Sequence, residues 1–437
     1  MAPSSDLPRV KTRRVHYFSG FDPRGAGHYH RLYREEAQKQ SCHNKARLQI
    51  GPRERRNEFV SAWRVAGAWN GETASTDYQF MHWDDLVRAN WQRSPWLLWV
   101  KGLWPYVQLL TCGAWVRIRS VAKPVATSGA FPMALLLLFL LLACLGAVGT
   151  GFAAFFIGWG WPAGIMSGVS VAMLVLWAGA LLSEKLGGHW LLRTFLFVYR
   201  WGQGDQQDLD WRLDEFCRHI IEEQRCDPVD EVLLVGHSIG TMLAVDVAAR
   251  FSKQYPTDCT GVKLLTLGQC IPVLSFIPKA AEFRNALEVL ATAKTIPWTD
   301  VTIPPDPLCF YRLDPVKLSG LSDPCHRGPR LAVARVFRMF SEQTYSKLRW
   351  NKLRLHFQYI MASELSADYD YFLTTAGHCF WTTRLQAVKS HLSMTDSSKE
   401  RIEDGKAEPR CPFSAFIPPY PKPHKTKSSF LLRFFRG

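Results

Sequence analysis

Between Pro124 and Ser183 the sequence contains no Asp, Glu, Lys, Arg or His. A helix in a soluble protein needs a polar face, so a buried hairpin in a soluble core is a poor account of this stretch. CxxC pairs are missing as well: the 11 cysteines are scattered, and Cys144 sits inside an apolar run. That pattern argues against a zinc site and a disulfide framework and suits a reducing compartment. The N-terminal MAPSSDLPRVKTRR has no apolar core of the signal-peptide kind, so nothing there predicts export. Acidic residues are the scarcer charge, 38 Asp and Glu against 53 Lys and Arg, for a net charge of +15. Such an excess fits a nucleic acid, an anionic membrane surface, or the basic cytoplasmic flanks of membrane segments.

What is present points to the membrane. At 437 residues the chain can hold one large domain or two ordinary ones, and 47% hydrophobic residues with 17 Trp is rich for a soluble domain. FPMALLLLFLLLACLGAVGTGFAAFFI, residues 131–157, exceeds the ~20 apolar residues needed to span a bilayer. GWGWP supplies a turn with interface-seeking Trp, and a second span follows at about 163–183. Lys101, Arg117, Arg119 and Lys123 precede this hairpin, Lys185, Arg193 and Arg200 follow it, and the turn is uncharged. The positive-inside rule then predicts cytoplasmic flanks and termini; in a bacterial cell the membrane would be the inner one. Upstream, the Trp-rich segment at 94–123 reads as either an interfacial segment or a core helix.

With the hairpin set aside, residues 1–93 and 185–394 read as two parts of one interrupted α/β domain. VHYFSGF, FVSAWRVAG, YQFMHW, EVLLVG, VKLLTLG and WTDVTIP have strand character, and RLYREEAQKQ, DLDWRLDEFCRHIIEEQ and AEFRNALEVLAT have helical spacing. LLRTFLFVYR is open between a strand and the end of the membrane helix. Short apolar strands alternating with helices predict a mainly parallel sheet with helices on both faces. The Pro-rich basic tail, 395–437, is expected to be disordered.

The chemistry concentrates in VLLVGHSIGTMLAVDVAARF, residues 232–251, where a strand runs through Gly236-His237-Ser238-Ile239-Gly240 into a helix without a gap. A nucleophile thrust out above a sheet needs such a tight turn, with Gly236 and Gly240 where side chains would clash. The helix start after Ser238 adds N–H donors and a positive dipole end for a developing oxyanion. A dinucleotide loop is excluded, because VGHSIG lacks the second glycine of GxGxxG.

From this elbow and the strands around it, the chain resembles the α/β-hydrolase superfamily in its lipase and esterase style, over about residues 15–375 minus the insertion. The resemblance implies Ser238 as nucleophile, an acid after a later strand and a histidine after the last. For the acid, Asp306 in the PPDP loop is preferred; Asp300 lies within the expected strand and Asp314 precedes Pro315 in a second turn. For the base, His356 in LRLHFQYIMA is preferred over His326 and His378. An excursion through LAVARVFRMFSEQTYSKL, expected to be helical, separates it from the acid. Oxyanion N–H groups are expected from Ile239 and from Phe21, although SGFD departs from the HGGG pattern of many lipases. His28 and His30 lack a third ligand nearby, so no metal and no cofactor is expected.

The expected function is thus a membrane-anchored serine hydrolase acting on an ester or related acyl bond. Its partners are the bilayer and an acyl or lipid-like substrate, with no nucleic acid and no protein partner inferred. An acyltransferase or thioesterase on the same triad, or a non-catalytic membrane scaffold, are the rival readings.

Overall fold

Among the described residues there are nine strands, most of them built from alternating or largely apolar stretches. They are β1 (Thr12–Phe18), β2 (Arg47–Ile50), β3 (Glu54–Arg55), β4 (Val60–Trp69), β5 (Glu72–Met81), β6 (Glu231–His237), β7 (Val262–Leu267), β8 (Trp298–Thr302) and β9 (Arg330–Val333). They come from the computed structural model of the chain, which describes residues 9–380 apart from 45, 70, 294, 305, 322–327 and 368. The strands form one sheet in the order β2-β4-β5-β1-β6-β7-β8-β9, with β3 beside β4. From β5 across to β9 every neighbouring pair is parallel, whereas β2 and β3 run antiparallel to β4, and β4 to β5. The protein is therefore mixed α/β with a mostly parallel central sheet.

Every residue of β6, β7 and β8 is buried, as strands covered on both faces must be. On one face, Val15, Tyr17, Leu233, Val235, Leu265 and Val301 join one apolar cluster with Tyr29 and Tyr33 of the helix Gly25–Asn44. The helix Gln207–Cys226 buries Leu209, Leu213, Phe216, Ile220 and Ile221, the three-and-four spacing of an amphipathic stripe. Phe216 meets Phe18 edge-on at 5.7 Å, so this helix covers β1.

Strand order places the candidate site. β1 lies between β5 and β6, so the chain leaves it toward one side of the sheet and later returns on the other. The ends of β1 and β6 form a topological switch point, where open α/β sheets leave a crevice beyond the carboxyl ends of their strands.

Two compact units can be distinguished: residues 1–85, 208–271 and 284–437, which hold the whole sheet, and residues 86–207 with 272–283, which are helical. In the second unit Lys123–Phe156 and Gly160–Lys185 are both long and apolar enough to cross a membrane. Only 22% and 17% of their most apolar windows are buried, unlike the core helix of a soluble protein. Both helices reach further than the expected spans, the first by about two turns at its start. LLRTFLFVYR is helical rather than extended. Gly187, at φ 78°, ends the preceding helix in the left-handed region, and a new helix runs Gly188–Gly202. The Trp-rich segment forms the helices Pro95–Thr111 and Ala114–Val121, with Trp96 and Trp104 exposed and Trp99 buried.

Small residues let the two long helices approach closely. A Cβ on Gly168 would lie 2.7 Å from the Ala147 carbonyl oxygen, and one on Gly164 2.8 Å from that of Gly151. Gly149 has open space at the same position. Gly168→Ala is accordingly expected to destabilise the protein by ~1–3 kcal/mol through overpacking. Gly149→Ala should stabilise it by up to ~1 kcal/mol through helix propensity. Detergent unfolding curves of the two variants check the opposite signs.

Candidate functional site

The turn after β6 is strained. Ser238 has φ 57°, and among the described residues only Arg312 shares a positive φ without being glycine. Holding a serine there costs about 1–2 kcal/mol, a cost that persists where the surroundings over-determine the turn. They do so here. Ser238 N–H donates to the Leu267 carbonyl at the end of β7 (3.0 Å), and Thr241 donates to the Ser238 carbonyl from both its N–H (3.0 Å) and its hydroxyl (2.6 Å). Both flanking glycines are sterically required. A Cβ on Gly240 would stand 2.1 Å from the Phe18 carbonyl oxygen, and one on Gly236 2.5 Å from that of Gly240. The helix Gly240–Gln254 starts directly afterwards, so the amides of Ile239 and Gly240 precede its hydrogen-bond ladder.

The end of β1 faces the same turn. A Cβ on Gly20 would lie 3.2 Å from Ser238 Cβ and 3.6 Å from its Oγ, so the backbone of Ser19-Gly20-Phe21 passes beside the hydroxyl. Trp83 Nε1 holds this loop by donating to the Ser19 carbonyl at 3.1 Å. Further on, Asp22 accepts from Arg24 Nε (2.8 Å) and from the Tyr29 hydroxyl (3.1 Å). Phe21 itself is buried, its ring 6.2 Å from that of Trp83.

Asp306 and His356, fifty residues apart, meet in the interior: His356 Nδ1 and Asp306 Oδ2 are 2.9 Å apart, both side chains buried. The same carboxylate oxygen accepts from the Tyr359 hydroxyl at 3.1 Å, and Oδ1 accepts from Leu308 N–H at 2.9 Å. Burial alone pushes the Asp306 carboxyl up. The His356 ring and these donors outweigh it and hold the carboxyl below its ordinary value. An ionised Asp306 fixes a proton on Nδ1 and leaves Nε2 as the proton acceptor. That Nε2 is buried and, among the described residues, has no hydrogen-bond partner. Catalytic contacts are often long before substrate binds.

The remaining candidates are placed elsewhere. Asp300 lies inside β8, where Oδ1 accepts from the Thr266 hydroxyl at 2.6 Å. Asp314 caps the short helix Pro315–Leu318, accepting from Val316 N–H at 2.9 Å. His378 bonds through its backbone to Val10, and His326 lies outside the described residues. His28 and His30 fall on the helix Gly25–Asn44 rather than in a loop, with His30 Nε2 3.0 Å from the Gly51 carbonyl. The stretch before His356 is not one helical excursion: its start forms strand β9. Sheet pairing with β8 won there over helix propensity.

Compared with protein-family models, curated proteins and solved structures, the chain finds no match. The site therefore stands on its geometry.

Three contributors escaped sequence reasoning. Gly20 looked like any loop glycine. Nothing local in LRLHFQYIMA marks Tyr359 as a second donor to Asp306. His237 Nε2 hydrogen-bonds the His356 carbonyl at 2.7 Å and so ties the elbow to the segment bearing the histidine. Burial, reinforced by the neighbouring His356 ring, lowers the His237 pKa to about 3, so it stays neutral and donates. Its place immediately before Ser238 was the available signal.

Asp300 yields a separable prediction. Burial raises its carboxyl from 3.8 to about 8, against the Thr266 hydrogen bond. The native state keeps that proton where the unfolded chain has released it. This stabilisation is complete below about pH 4 and is lost as the pH climbs through about 8. Asp300→Asn cannot ionise, so its stability relative to the wild type should improve steadily across that window. Denaturation midpoints at several pH values measure the trend, and a parallel offset would contradict it.

Proposed function

We propose that the chain is a membrane-anchored serine hydrolase of the α/β-hydrolase type. One observation carries the reading: a positive-φ serine on a strand–turn–helix elbow at the sheet's switch point, in a domain that also buries a His356–Asp306 pair. In the proposed mechanism Ser238 Oγ attacks an acyl carbonyl and His356 Nε2 takes its proton. Asp306 keeps the imidazole in the correct tautomer and offsets the charge it gains. The N–H of Ile239 and that of Phe21, with the Gly20 backbone beside the hydroxyl, stabilise the oxyanion. His356 then returns the proton to the leaving group and activates the water that releases the acyl chain.

The helices over 123–156 and 160–185 would anchor the enzyme with both termini in the cytoplasm, as their basic flanks suggest. One chain carrying both an anchor and an acyl-directed site favours an ester of a lipid-like or acylated substrate. A second reading, a membrane scaffold whose serine is never activated, draws on the unpartnered His356 Nε2. Turnover of a short- and a long-chain p-nitrophenyl ester by purified protein in detergent separates the two. The hydrolase should release nitrophenol from at least one ester, with an initial burst if deacylation is slow. A scaffold releases none above the rate without protein. Added alcohol or amine acceptors would expose acyl transfer as a shift from free acid to acylated acceptor.

A further inference from the structure

On the helix Gln207–Cys226, His219 and Glu223 stand one turn apart on one face, and His16 of β1 points at them. The three residues offer ligand atoms that all lie within 4.8 Å of one another, and His219 Nε2 and Glu223 Oε2 are already 3.3 Å apart. Ligands on a tetrahedral zinc are separated by about 3.3 Å, so side-chain rotations alone could close the set. His16 supplies the independent sign. Its ring is fully buried, and neither nitrogen has a hydrogen-bond partner among the described residues. Gln79, its register partner on β5, is close enough to interact with the ring, but no hydrogen bond of full geometry reaches either nitrogen. An imidazole buried with both nitrogens unsatisfied is unfavourable and points to an occupant that would satisfy it.

We propose that His16, His219 and Glu223 bind a divalent ion of the zinc class. Two imidazoles and a carboxylate are a mixed nitrogen and oxygen set suited to that borderline ion, with a fourth position for water. The local charge accommodates a dication. Asp77, Glu223 and Asp227 face Arg14, which lies 3.4 Å from Glu223 and 2.8 Å from Asp227, and Arg56, which lies 3.0 Å from Asp77. That is three carboxylates against two guanidinium groups. Gln79 Nε2 donates to Glu223 Oε2 at 2.6 Å and to Asp77 Oδ2 at 2.7 Å, and its Oε1 lies 3.0 Å from His219 Nε2, so an entering ion would displace this amide from His219 and leave it to Asp77.

The ion would join segments on either side of the long insertion: β1, whose far end forms the loop beside Ser238, and the helix that leads into β6. Its role in this account is to hold the sheet together, independent of whether Ser238 is catalytic.

The full-length chain, stripped with chelator in detergent and dialysed against zinc alone, should retain about one equivalent bound through these ligands. Its unfolding midpoint should rise with zinc. His219→Ala should weaken zinc binding by more than the roughly 10–100-fold that loss of an outer ligand partner costs, and should abolish the zinc-dependent shift. Cobalt(II) read on the wild type needs no variant to fold: it should give d–d absorption without a thiolate charge-transfer band. A wild type that retains no metal, a thiolate band placing the ion on cysteines, or a folded His219→Ala that binds undiminished would each overturn the assignment. The cluster would then be a hydrogen-bonded network only.

Discussion

Ser238→Ala is expected to cut ester turnover on the order of a million-fold where the wild type is a competent triad enzyme, leaving only what substrate binding and the oxyanion donors supply. Stability should barely change. Among the described residues the hydroxyl makes no hydrogen bond that anchors the turn, whose restraints run through the Ser238 N–H and carbonyl instead. Ser238→Gly should be equally inactive yet more stable than the wild type by about 1 kcal/mol, because glycine adopts φ 57° without the Cβ penalty. The pair separates a nucleophile from a structural serine: the backbone strain is relieved only in the glycine variant, while the activity is lost in both. Ester assays and unfolding curves on the two proteins provide the check. Residual turnover near wild-type level in either variant would contradict the mechanism.

His356→Ala is the second large effect. Without Nε2 the Ser238 proton has no acceptor, and acylation should fall by about 10⁴–10⁶-fold. Asp306→Asn should fall by about 10⁴-fold, since a neutral amide no longer selects the Nδ1–H tautomer. The double variant should be little worse than His356→Ala alone, because the carboxylate acts only through the imidazole. His378→Ala and Asp300→Asn should retain acylation. Acylation rates of the set at one pH decide the matter. If His378→Ala were the inactive protein, the base would be misassigned while the nucleophile stood.

How much of this was legible in the sequence depends on how local the signal is. The elbow needs only contiguous residues, since a strand, two clash-enforced glycines and a helix lie within 232–251. The charge-free 124–183 stretch is equally local, and it coincides with the two long apolar helices. The mixed α/β class followed from central strands that are short and mostly apolar, as burial on both faces requires. Less local features were missed. RLQI and ER carry too little apolar alternation to declare β2 and β3, which exist because β4 offers them an edge. Strand β9 looked helical until β8 paired with it. Pairing of His356 with Asp306 could be ranked from segment character but needs a tertiary hydrogen bond to become definite. His16 and His219 had no visible relation, because only the placement of β1 against the helix Gln207–Cys226 brings them together.

The most direct measurement is covalent. A fluorophosphonate reacts rapidly only with a serine whose proton is withdrawn by a neighbouring base and whose oxyanion is stabilised. Treatment of the detergent-solubilised, full-length protein with such a probe, followed by peptide mass spectrometry, locates the adduct. A single phosphonylated serine is expected at Ser238, with labelling lost in Ser238→Ala and slowed by orders of magnitude in His356→Ala. A folded wild-type protein that takes up no probe, or carries it on another serine with Ser238 unmodified, would contradict the claim that this elbow holds an activated nucleophile.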